Sequence, residues 1–158
     1  MKHVFLITWA LVSLFTHHTP SCTSRDHAAE LPHTDPMSHP KISIKVHSKT
    51  FTATLADNQA AAAFVKTLPL TVNMTELNGN EKYGELPAAL PTYAFHPSTI
   101  QNGDIMLYGS TVLVLFYKTF PTSYSYTKLG SVGDVAGWAA ALGAGNVTVT
   151  FDVMFTKP

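Results

Sequence analysis

"DIMLYGSTVLVLFYK", residues 104–118, decides the fold. It reads as two strands about Gly109-Ser110. The second, Val112 to Tyr117, is apolar on both faces. Successive strand side chains point to opposite faces, so such a run belongs at the centre of a sheet with cover on either side.

Working back toward the N-terminus, "PAALPTYAFHPSTIQNGD" holds three prolines (Pro87, Pro91, Pro97) and no period, so it is expected to be a long surface loop. Before it, "NGN" (78–80) is a type I′ turn signal between the alternating strand "LTVNMTEL" and "EKYGEL". "DNQAAAAFVKTLPL" predicts a helix capped by Asp57, with Ala61, Phe64, Val65 and Leu68 on one side and Pro69 ending it. "KISIKVH" and "TFTATLA" alternate about Ser48-Lys49, which predicts a hairpin burying Ile42, Ile44, Val46, Phe51, Ala53 and Leu55.

Toward the C-terminus, "KTFPTS" (118–123) reads as a turn and "YSYTKLG" as a strand with Tyr124, Tyr126 and Lys128 on one face. "GDVAGWAAALG" predicts a second short helix, capped by Asp134, that lines Val135, Trp138 and Leu142 and ends at Gly143. "NVTVTFDVMF" is a closing strand. The pattern is mainly β: a closed or nearly closed β-barrel of about eight strands with two short capping helices.

Composition narrows the function. With 46% apolar residues in 158, a sizeable core is available, while only 13% are charged and the net charge is zero. No basic field exists to hold a phosphate backbone, so nucleic acid is excluded as a partner. The only arginine is Arg25; residues 41–158 contain none.

"LPLTVNMTELNGNEKYGELPAALP", "GDIMLYG" and "LVLFYKTFPTSYSYTKLG", in that order, resemble the bacterial cyclophilin-like fold family of small stand-alone barrels, over about residues 41–156. The resemblance implies a miniature cyclophilin barrel with two helices. It implies no settled activity, since fold alone does not carry function.

Cyclophilins lower the X–Pro rotation barrier of ~18–20 kcal/mol with an arginine that donates to the twisting amide. Lysine cannot reproduce the planar, donor-rich fork. The domain therefore lacks the central group of that mechanism, although Lys82, Lys118 or Lys128 could supply a point charge. A weak isomerase stays an alternative, as does an enzyme acting on a small substrate through Glu81 with a tyrosine as acid.

Other chemistry finds little support. The domain has no cysteine and no GxSxG nucleophile motif, and His47 and His96 read as surface histidines. Glu76, Glu81 and Glu85 read as a solvated hairpin end, Asp104 as a turn residue. "GAGN" (143–146) follows a helix, whereas phosphate cradles precede one. No metal site and no cofactor are expected.

Five of the six tyrosines fall inside the family-like motifs. Tyrosine offers a broad apolar face and a hydroxyl that seeks a partner, as ligand sites require. The candidate ligand-binding residues are Glu81, Lys82, Tyr83, Tyr108, Tyr117, Tyr124 and Tyr126, around a cleft for an extended peptide or small molecule, with no catalytic residue assigned.

"MKHVFLITWALVSLF" pairs a short polar start with an apolar run too short to span a bilayer, so residues 1–21 are expected to be a signal peptide. Cys22, the only cysteine, follows small Ser21 and is a candidate lipidation site, although Thr19 stands where the bacterial motif has an aliphatic residue. The alternative is ordinary cleavage nearby. Residues 22–40 are polar and proline-punctuated, a disordered tether; 41–158 form the domain. Together these predict an exported protein of the cell envelope, periplasm or exterior. Membrane attachment would come only through an acyl chain on Cys22.

Overall fold

The computed structural model describes residues 39–154. The expected signal peptide, Arg25, Cys22 and nearly all of the tether lie outside the described residues.

The described residues form ten strands and two helices, in chain order β1 (Lys41–Val46), β2 (Lys49–Leu55), α1 (Gln59–Val65), β3 (Leu70–Leu77), β4 (Glu81–Glu85), β5 (Thr99–Ile100), β6 (Asp104–Tyr108), β7 (Val112–Phe116), β8 (Phe120–Pro121), β9 (Thr127–Val132), α2 (Trp138–Leu142) and β10 (Val147–Val153). Eight of the strands form a closed barrel in the order β1, β10, β3, β4, β7, β6, β9, β2. Every pairing is antiparallel, and the β1–β2 hairpin closes the ring.

The alternation of the first hairpin is realised in full: Ile42, Ile44, Val46, Phe51, Ala53 and Leu55 all point into the core. Its turn lies one residue earlier than the pattern suggests, at His47-Ser48, with His47 at a φ of 54°. At the β3–β4 turn Asn78 and Gly79 both have positive φ, 55° and 67°, as a type I′ turn requires.

Both helices bury apolar side chains in the barrel core. Phe64 of α1 meets Phe151 edge-on at 5.7 Å, and Trp138 of α2 meets Phe51 at 4.9 Å. The cap of α1 is Asn58 rather than Asp57. Asn58 has the extended backbone of a cap, and its Oδ1 accepts from the Ala61 N–H at 2.8 Å. Its Nδ2 also donates to the Lys128 carbonyl at 2.8 Å, tying the helix start to β9. A carboxylate in its place could not make that second bond. Asp134 does not cap α2 either. It accepts from Ala136 N–H at 2.8 Å in a turn ahead of the helix, whose cap position is Gly137 with a φ of 75°.

Strand β7 has the double cover its sequence demands. Leu113 and Leu115 lie in the barrel core, while Val114 and Phe116 on the other face pack with Ile100, Met106 and Tyr126 in a second, outer cluster. That outer cluster is roofed by two segments read from sequence as loop and turn. Thr99–Ile100 pairs with Phe120–Pro121 in a two-stranded ribbon, and Phe95 bridges to Tyr126. The proline sits on a strand with one neighbour, where a missing N–H is tolerated.

Candidate functional site

The outer face of β4, β7 and β6 is the floor of a groove of about 510 Å³. Strand register sets that floor. Tyr83 lies opposite Val114, and Tyr108 opposite Val112. The 120–126 segment forms the wall and contributes Phe120, Tyr124 and Tyr126. The β3–β4 turn closes one end with Leu77, Asn78, Asn80 and Glu81.

The aromatic side chains form a connected set. Tyr126 is buried and meets Phe116 edge-on at 5.5 Å and Tyr108 at 5.7 Å. Tyr108 meets Tyr124 edge-on at 6.2 Å. Tyr124 is 60% exposed and Tyr108 47%, so their faces are open to a ligand.

Glu81 is the one charged residue in the lining. Burial, followed by the negative charge of Glu76, pushes its carboxyl up to about 6. Among the described residues no cation or hydrogen-bond donor offsets that rise. Burial and the Glu81 charge push the Tyr126 hydroxyl up to about 12, so that group stays protonated through the neutral range.

Five of the seven residues singled out from the sequence meet in this groove: Glu81, Tyr83, Tyr108, Tyr124 and Tyr126. Lys82 and Tyr117 do not. Alternation along β4 turns Lys82 into the barrel, where it is fully buried. Its ammonium donates to the Glu76 carboxylate and, at 2.7 Å each, to the carbonyl oxygens of Gly143 and Gly145. The Tyr117 hydroxyl donates to the same carboxylate at 2.6 Å, and Lys82 sits 5.5 Å from its ring centre. A lysine expected to bind ligand in the cleft is thus a structural clasp between β4, β3 and the turn after α2. Burial works to raise the Glu76 pKa, but the bonds from Lys82 and Tyr117, the Lys82 charge and the Gly79 N–H lower it overall. Of Glu76, Glu81 and Glu85, read as a solvated hairpin end, only Glu85 is exposed, and it lies at the end of β4 away from the turn.

Two further polar groups depart from their sequence reading. Asp104 is no loose turn residue: it is buried at the start of β6 and accepts from Lys128 at 2.8 Å and from the Gln101 N–H at 2.9 Å. Lys128 therefore does not join Tyr124 and Tyr126 as a free cation. A register shift in the β6–β9 pairing between Ile105 and Met106 breaks the simple alternation there.

Asn80, Val114 and Phe120 were not foreseen as groove residues. The doubly apolar β7 run signalled that its outer face needed cover, but not that the cover would leave an open channel. A second concavity, of about 540 Å³, lies along β1 and β2 and is lined mostly by exposed lysine, threonine and loop residues. Its one aromatic residue is the buried Phe51, against five aromatic residues in the lining of the first. Among the described residues no group of three His, Cys, Asp or Glu side chains could hold a metal ion.

A closed eight-stranded antiparallel barrel with two short helices and an aromatic groove on its outer face defines a small cyclophilin-type barrel. The model of the cyclophilin-like family matches residues 44–152, and the chain belongs to that family. Its fold is similar to the solution structure of the hypothetical protein AF2241 from Archaeoglobus fulgidus, with a TM-score of 0.57 and 15% identity, over 74% of this chain and 96% of that one. No curated protein matches the chain.

Proposed function

We propose that the domain is a binding module whose outer groove takes an extended peptide or a small molecule, without arginine-dependent prolyl isomerisation. One observation carries this reading: four tyrosines and Glu81 converge on a single open groove built over a buried aromatic base. Concave, mostly apolar surfaces with a few placed polar groups are the usual form of ligand sites. The isomerase mechanism is left out because residues 41–158 contain no arginine. The sequence of residues 1–22 supports export and acylation at Cys22, which would present the module at the cell envelope.

A thermal-shift screen of the chain against small-molecule and peptide libraries tests the groove, because specific binding raises the melting temperature by mass action. The expected result is a ligand whose shift is lost in Tyr124→Ala. A screen with no such ligand sinks the proposal.

A second reading, catalysis on a small substrate, is favoured by Glu81. A carboxylate that titrates at about 6 is placed to act as a general base near neutral pH. It predicts a bell-shaped pH–rate profile whose acid limb disappears in Glu81→Gln.

A further inference from the structure

The groove has a charge asymmetry that its general shape does not require. Its lining contains Glu81 and four tyrosines but no lysine, arginine or histidine. The Glu81 carboxylate is half-buried and has no ion-pair or hydrogen-bond partner among the described residues. The groove thus holds a partly buried carboxylate with no partner, and a charge held out of water without a partner is unfavourable.

The surroundings do not neutralise this carboxylate. Glu76 lies behind it on β3 and adds negative charge. Lys82 on β4 faces the barrel interior and is bound to Glu76. Lys118 is exposed beside Gly79, beyond the turn and outside the lining. Tyr126 reaches in from the wall with its hydroxyl protonated. The exposed rings of Tyr108 and Tyr124 present faces whose quadrupole attracts cations.

We propose that the groove selects ligands carrying a cationic nitrogen group, a guanidinium, amidinium or ammonium, on an aromatic or aliphatic body. The cation would bind Glu81, while its body would pack on the tyrosine faces. This rests on the groove being a binding site and names the chemistry that the site takes. It is the inverse of arginine-based recognition: here the ligand brings the positive charge.

Benzamidine, benzamide and benzoate test it, since they share one ring and differ in charge. Binding to the chain is measured by calorimetry at pH 7.5. Benzamidine is expected to bind at least tenfold more tightly than benzamide, and benzoate most weakly. Glu81→Gln should remove that preference, and lowering the pH to 5 should reduce it in the unsubstituted chain. Capped Gly-Arg-Gly against capped Gly-Gln-Gly then shows whether a peptide side chain or only a free organic cation is accepted. Equal binding of benzamidine and benzamide overturns the proposal, as does a preference that survives Glu81→Gln or no binding by any of the three. If benzamide or a library ligand still binds in a Tyr124-dependent way, the groove reading stands and only the charge selectivity falls.

Discussion

Glu81 and Lys82 are consecutive residues on opposite faces of β4. The ammonium points into the barrel, where it is clasped by Glu76 and two carbonyl oxygens; the carboxylate points into the groove with no partner among the described residues. The two-residue period of a strand thus separates a structural cation from an unpaired site anion.

Lys82→Met should destabilise the domain by about 3 kcal/mol, because it takes the only cation from the Glu76 carboxylate among the described residues and a donor from two carbonyl oxygens. Glu76 is partly exposed, which keeps the loss at the low end for a broken buried pair. Urea unfolding checks this. The double variant Lys82→Met/Glu76→Leu should lose less than the sum of the two single variants.

Glu81→Gln should raise stability at neutral pH. The folded pKa of Glu81, about 6, lies above its ordinary value of 4.5, so its contribution is fully present below about pH 4.5 and is lost as pH rises through about 6. The difference amounts to at most about 2 kcal/mol. Melting curves between pH 4.5 and 7.5 should flatten in the variant; an unchanged slope would contradict the assignment.

Glu76 works in the opposite direction. Its folded pKa is lowered, so the stability it contributes is present above the ordinary carboxylate range and is lost as pH falls through the folded value. Acid unfolding of the parent below about pH 4.5 should therefore exceed that of Glu76→Gln, measured relative to each protein's stability at pH 7.

Tyr124 and Tyr126 should behave differently although they are two residues apart. Tyr124→Ala should change stability by no more than about 0.5 kcal/mol, since the side chain is 60% exposed, yet weaken groove ligands. Tyr126→Ala removes a buried ring packed on Phe116 and should cost about 3 kcal/mol. Denaturation midpoints and ligand titrations on the same samples separate the two roles.

Prolyl isomerisation should be absent. In a protease-coupled peptide assay, the chain and its Arg25→Ala variant should both match the uncatalysed rate. Acceleration that survives in the variant would mean that a group other than arginine polarises the amide.

Much of this architecture is legible in residue order. Period-two alternation placed Ile42, Ile44, Val46, Phe51, Ala53 and Leu55 inside, and the apolar run of β7 demanded cover on two faces. These are local consequences of strand geometry and the removal of apolar surface from water. The tyrosines also stood out, because a large amphipathic ring is informative wherever it falls.

What alternation cannot supply is which face of an isolated polar strand becomes the inside. In "EKYGE" the charges on both faces are compatible with solvent, and only closure of the barrel made Lys82 interior and Glu81 a groove residue. Likewise, nothing local in Thr99–Ile100 or Phe120–Pro121 announces that they pair with each other across some twenty residues. The groove exists because that pairing roofs one part of the outer face and leaves the rest open. Sequence alone determined the barrel and its aromatic inventory; tertiary closure decided which charge was neutralised in the core and which was left facing the groove.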